Sequence, residues 1–115
     1  MMRHVIGAVL IFCIAVATVH GGISAQDLRE GIADIYDISD ADKEFIVHTT
    51  EDALNLHDKR VDVAYTIAKT LYDKNNTVAT ALIIDADSPS SVSAFGAAFV
   101  IFRAKDMKII IVMKK

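Results

Sequence analysis

The side chains able to do chemistry are few and widely spaced. Beyond the first twenty residues the only histidines are His48 and His57, nine positions apart. Metal ligands on one helix face need a spacing of three or four, so this pair reads as solvated helix residues. Asp85 and Asp87 bracket a turn but have no His, Cys or further acidic ligand pattern beside them, and they read as a solvated loop. Ser88, Ser90, Ser91 and Ser93 lack a nucleophile-elbow context and a base, which leaves turn chemistry as their explanation. Phosphate-cradling glycine loops are absent from the sequence. Neither a catalytic residue nor a cofactor or metal is expected, and the chain is read as a non-enzyme. Asn75-Asn76-Thr77 is a glycosylation sequon, a candidate modification site at Asn75 if the chain enters the secretory pathway.

Entry into that pathway is the expectation from the N-terminus. Arg3 and His4 precede an apolar run from Val5 to Val19, followed by His20-Gly21-Gly22-Ile23-Ser24-Ala25. A short basic region, an apolar region and a small-residue exit form a secretory signal. The run is shorter than the roughly 20 residues of a transmembrane span. Cleavage after Ala25 puts Ala at the last position and Ile23 two before it, and cuts after Gly21 or Gly22 are the rivals. An uncleaved anchor or a buried apolar helix is the other reading. The division expected is 1–25 signal peptide, 26–38 N-terminal extension and 39–115 folded domain.

Length and composition bound the rest. The chain has 115 residues, and removing a leader leaves about 90, room for one modest core. Apolar residues make up 53% and charged residues 23%, a globular composition. The net charge is −3, and losing Arg3 leaves 11 of the 12 basic residues against 15 acidic ones. That balance gives no electrostatic footprint for nucleic acid. Charge is uneven: positions 27–62 hold 11 acidic and 4 basic residues, and positions 103–115 hold 5 basic residues and only Asp106 as acid. The single cysteine, Cys13, lies in the leader. A small exported domain without disulfides needs other support, and a homodimer is one recognised route.

The elements follow from periodicity. Residues 26–38 are mixed and acidic, with a short strand placed at Ile32 to Ile35. Ser39, Asp40, Asp42 and Glu44 supply an N-cap oxygen and first-turn carboxylates, which predicts a helix from Asp40 to Leu56. Phe45, Ile46, Thr49, Ala53 and Leu56 recur at its spacing. A second helix starts with Asp58 as cap, carries Val63, Ala64, Ile67, Ala68 and Leu71 as one stripe, and ends at Asn75-Asn76. Beyond Asn76 the period falls to 2 or to continuous β-branched runs. Val78 to Ile84, Ser91 to Phe95, Ala97 to Ala104 and Met107 to Met113 read as strands, with Lys105-Asp106 as a tight turn. The fold class expected is α+β, two helices packed on an antiparallel sheet of four to five strands.

Together these residues resemble the small dynein light chain family, the dimeric cargo-adaptor type. Asp37-Ile38-Ser39-Asp40 is similar to the family's acidic, Ser-capped start of its first helix. Ala53-Leu54, Asp62-Val63-Ala64, Ile67, Asp73-Lys74 and Asn76 fall on matching positions without a gap. Phe99 to Lys114 resembles the closing hairpin. The resemblance implies a dynein-light-chain-like fold, a strand swapped between protomers, and partner peptides added as a strand in grooves at the dimer interface. Carried over, the partner-binding positions are Val61, Asp62, Ser91, Val92, Ser93, Ala94 and Phe95. Departures concentrate there. Val61 replaces a Lys that holds partner glutamine, Asp85 to Ser90 replaces a Gly-Arg-Asn-Phe-Gly-Ser turn, and one extra residue precedes Phe99. Thr80 and Ala79 stand where the family has His and Trp. The expected function is a non-enzymatic, dimeric protein- or peptide-binding module, exported from the cell and free of membrane after signal cleavage. The alternative is an intracellular dynein light chain subunit in microtubule-based transport with an uncleaved or misassigned N-terminus.

Overall fold

The computed structural model describes residues 22–89 and 97–114. The expected strand Ser91 to Phe95 lies outside the described residues, as does the apolar N-terminal run. In chain order the elements are α1 (Ala25–Glu30), β1 (Ile32–Tyr36), α2 (Asp40–Leu56), α3 (Arg60–Asn75), β2 (Ala79–Asp85), β3 (Ala97–Ala104) and β4 (Met107–Lys114). The chain is α+β: among the described residues, helices lie on a four-stranded antiparallel sheet of order β1-β3-β4-β2.

Local chemistry accounts for the boundaries. Ser39 accepts the Asp42 N–H at 3.2 Å, capping α2 where its side chain and the following carboxylates match free amides and the positive helix end. Within α2 the stripe differs from the expected one. Ile46, Val47, Thr49, Thr50, Ala53 and Leu54 are buried, whereas Leu56, turned away from the centre of that stripe at about 100° per residue, is 71% exposed. The cap of α3 is Lys59 rather than Asp58, and no side chain bonds to its first amides. The Asp62 and Val63 N–H groups instead reach the Lys59 carbonyl at 3.1 Å each. Asn76 closes α3 in the left-handed region, φ 51°, a conformation that Asn tolerates. Lys105-Asp106 forms the expected turn between β3 and β4.

The sheet has two unlike faces, set by the two-residue alternation of a strand. Ala98, Val100 and Phe102 of β3 and Ile109, Ile111 and Met113 of β4 join Val47, Leu54, Val63, Ile67 and Leu71 in one core. Phe99, Ile101, Ile110 and Val112 belong to the opposite face. There Ile101 pairs with Asp34 and Ile110, and Ile110 pairs with Leu82. Tyr36 stacks on Phe99 with ring centroids 5.9 Å apart.

The helix α1 was not foreseen in the acidic stretch after the leader. Ser24 and Asp27 form a capping box: Ser24 Oγ accepts the Asp27 N–H at 3.1 Å and Asp27 Oδ2 accepts the Ser24 N–H at 2.9 Å. Leu28 is fully buried, and Gly31 then brings the chain against β3, where Arg103 N–H donates to the Gly31 carbonyl at 2.7 Å. A Cβ at residue 31 would collide with the Arg103 carbonyl, so this close approach requires glycine.

Candidate functional site

Sheet order puts β2 at an edge. Its inner side pairs with β4 from Ala79 opposite Met113 to Asp85 opposite Met107. The Lys114 N–H donates to the Val78 carbonyl at 2.9 Å and fixes which pairs exchange hydrogen bonds. In an antiparallel ladder bonded and non-bonded pairs alternate. Thr80, Leu82 and Ile84 therefore bond inward to β4, and Ala79, Ala81, Ile83 and Asp85 direct their N–H and C=O groups outward. No strand among the described residues takes up that edge.

Beside this edge runs a shallow groove between the start of α3 and β2, lined by Arg60, Val61, Ala64, Ala81, Leu82 and Ile83. Its volume is about 330 Å³, at the small end for a site that engulfs a small molecule. Val61, in the first turn of α3, is 71% exposed, and Leu82 is 51% exposed. Asp62 is exposed beside Val61. Arg60 Nη1 donates to Asp85 Oδ1 at 2.8 Å and closes one end of the groove. Thus Val61 stands at a groove next to an edge strand, Asp62 is exposed but not part of the groove's lining, and Ser91, Val92, Ser93, Ala94 and Phe95 lie outside the described residues.

The turn after β2 is anchored rather than open. Ser88 N–H donates to the Asp85 carbonyl at 3.0 Å, and the buried Lys108 Nζ donates to the Ser88 carbonyl at 2.9 Å. Asp85 is engaged by Arg60 through the 2.8 Å contact described above. The two histidines have separate partners. His57 Nε2 and Thr66 Oγ1 are 2.8 Å apart, and His48 lies near Arg29 and Glu51. Among the described residues no cluster of His, Cys, Asp and Glu could hold a metal ion, and no helix is long and apolar enough to cross a membrane.

Asn75 is exposed at the last position of α3, and Thr77 Oγ1 donates to its carbonyl at 3.2 Å. The sequon is thus on the surface, as its place between a helix and a strand predicts.

A second polar constellation, absent from the sequence reading, fastens α1 to α2. Arg29 Nη2 and Nε reach Glu44 at 2.7 and 2.9 Å, and Glu51 Oε2 accepts the Ala25 N–H at 2.7 Å. The hydrogen bonds from Arg29 hold the Glu44 carboxyl below its ordinary range, and the same contact raises Arg29. Hydrogen bonding by the Ser24 backbone N–H lowers Asp27 likewise. The Ser24-x-x-Asp27 spacing was the available signal, masked by its position in the apparent leader exit.

Neither the models of known protein families nor the curated proteins match this chain.

Proposed function

We propose that the chain is a non-enzymatic, homodimeric module that takes up proteins or linear peptides by strand addition. In this reading it resembles a dynein light chain and works after export, with the leader removed. The observation that carries the reading is the outward row of backbone groups on Ala79, Ala81, Ile83 and Asp85 beside the Val61 groove. An edge strand next to an apolar groove offers main-chain hydrogen bonds for affinity and a side-chain slot for selectivity. The helices pack on one face of the sheet; on the other, Tyr36 and Leu82 are exposed and Ile101 and Val112 half-buried around the buried Phe99 and Ile110, and this apolar rim is the place for a second copy.

The test is Ala81→Pro. Proline cannot donate, but the Ala81 N–H points away from β4, so this variant keeps its ladder bonds while blocking the edge. Under strand addition the variant folds, retains its circular dichroism and its assembly state, and loses partner uptake. A variant that still binds like the native chain counts against the reading.

A further inference from the structure

Among the described residues, three that the sequence assigns to the leader, Ile23, Ser24 and Ala25, are built into the folded unit. Ile23 is only 3% exposed and belongs to the main core. Ser24 supplies both halves of its capping box with Asp27, and its carbonyl accepts the Leu28 N–H at 3.1 Å. Ala25 is buried, and its N–H is held by Glu51 at 2.7 Å. A cut after Ala25 would discard this apolar anchor and the cap. It would also place a new ammonium inside the first turn of α1, where the positive helix end opposes it.

We propose that the leader is removed instead at the Gly21–Gly22 peptide bond, so that the mature chain starts at Gly22. The proposal rests on the export reading above. Water adds across the amide: the C–N bond breaks, water's oxygen bonds to the Gly21 carbonyl carbon, Gly21 leaves as the carboxylate of the leader, and the Gly22 nitrogen takes both of water's protons and becomes an ammonium. The catalyst is the membrane-bound endopeptidase class that cleaves export signals after small residues. Three candidate bonds differ in what they offer such an enzyme. The bond after Gly21 has Gly at the last position and Val19 two before it. The bond after Gly22 has the polar, bulkier His20 two before it, and the bond after Ala25 has Ile23.

The backbone marks the same boundary. Gly22 is exposed at φ 63°, a left-handed conformation that favours glycine, and a Cβ built there has no neighbour within 4 Å. One residue later the chain is in the core. A terminus at Gly22 keeps the new charge in solvent and leaves Ile23, Ser24 and Ala25 in place.

Expression of the full chain in a secreting eukaryotic cell, followed by N-terminal sequencing of the exported protein, tests this. The expected first residue is Gly22, and Gly21→Glu should abolish that terminus by placing a charged, bulky residue before the bond. Exported protein starting at Gln26 overturns the proposal but leaves export standing. Protein that stays in the cell with Met1 intact overturns the export reading, and the proposal with it. A second measurement addresses the physical reason: a recombinant chain starting at Gly22 should melt at a higher temperature than one starting at Gln26, and equal melting overturns the role given to Ile23 and Ser24.

Discussion

Arg60 Nη1 donates to Asp85 Oδ1 at 2.8 Å, joining the first residue of α3 to the last residue of β2. The pair is largely solvated, so it adds little stability, on the order of 0–1 kcal/mol. Its consequence is positional: it sets one end of the groove in which Val61 stands.

Val61 offers no donor where the resembling family has a Lys that holds partner glutamine. A hydrogen bond from a charged group contributes about 1.5–3 kcal/mol, roughly ten- to a hundredfold in affinity. Val61→Lys should therefore recover binding of a Gln-centred peptide by about that factor over the native chain. Titration calorimetry reads it, and no gain in the variant would show that this position does not govern recognition.

The fold was largely legible because its long elements are periodic. The bounds of α2 follow from the Ser39 cap and the apolar spacing, and β3 and β4 follow from apolar runs that contain β-branched residues. The short elements were not. In α1 the six residues from Ala25 to Glu30 are too few for a hydrophobic period, and the segment is helical because Ser24 caps it and Leu28 is buried. The cap of α3 was misplaced by one residue because Asp58 is the better capping side chain, yet backbone bonds to Lys59 decide the start. Leu56 recurs at helical spacing with Phe45 and Thr49 but is turned away from the centre of the stripe that is buried, and it is exposed. Of the groove, Val61 is the one residue that the sequence singles out as partner-binding. The outward register of β2 could not be read from sequence, since only pairing with β4 determines it.

Gly31→Ala tests the contact between α1 and β3. A methyl group there meets the Arg103 carbonyl, and the backbone must shift to admit it. Overpacking of this kind costs about 1–3 kcal/mol, a clear fall in Tm. An unchanged Tm would mean that the approach is not tight in solution.

Acid should loosen α1. Asp27 and Glu44 have folded-state pKa values below their ordinary ones, by hydrogen bonds from Ser24 and Arg29 respectively. Lowered carboxylate pKa values contribute stability that is fully present above the unfolded values, about pH 4, and is lost as pH falls through the folded values. Amide exchange of Leu28 and Arg29 should accelerate relative to the core strands below about pH 4, after correction for the intrinsic rate. Glu44→Gln should reduce that dependence, and an unaltered profile would exclude Glu44 as its source.

Asn75 should carry glycan in at least part of the exported protein, because the sequon is exposed. Glycosidase treatment should lower the mass, and Asn75→Gln should give the lower mass directly. Identical masses before and after treatment would show that the sequon is unused.

The central claim is a dimeric strand-adding module, and sedimentation equilibrium of the exported chain at micromolar concentration tests it most directly. The account predicts a dimer for the native chain and a folded monomer for Leu82→Glu, which puts a charge on the exposed rim of the sheet face proposed to meet the second copy. A native chain that sediments as a monomer, with no dependence on concentration, would contradict it.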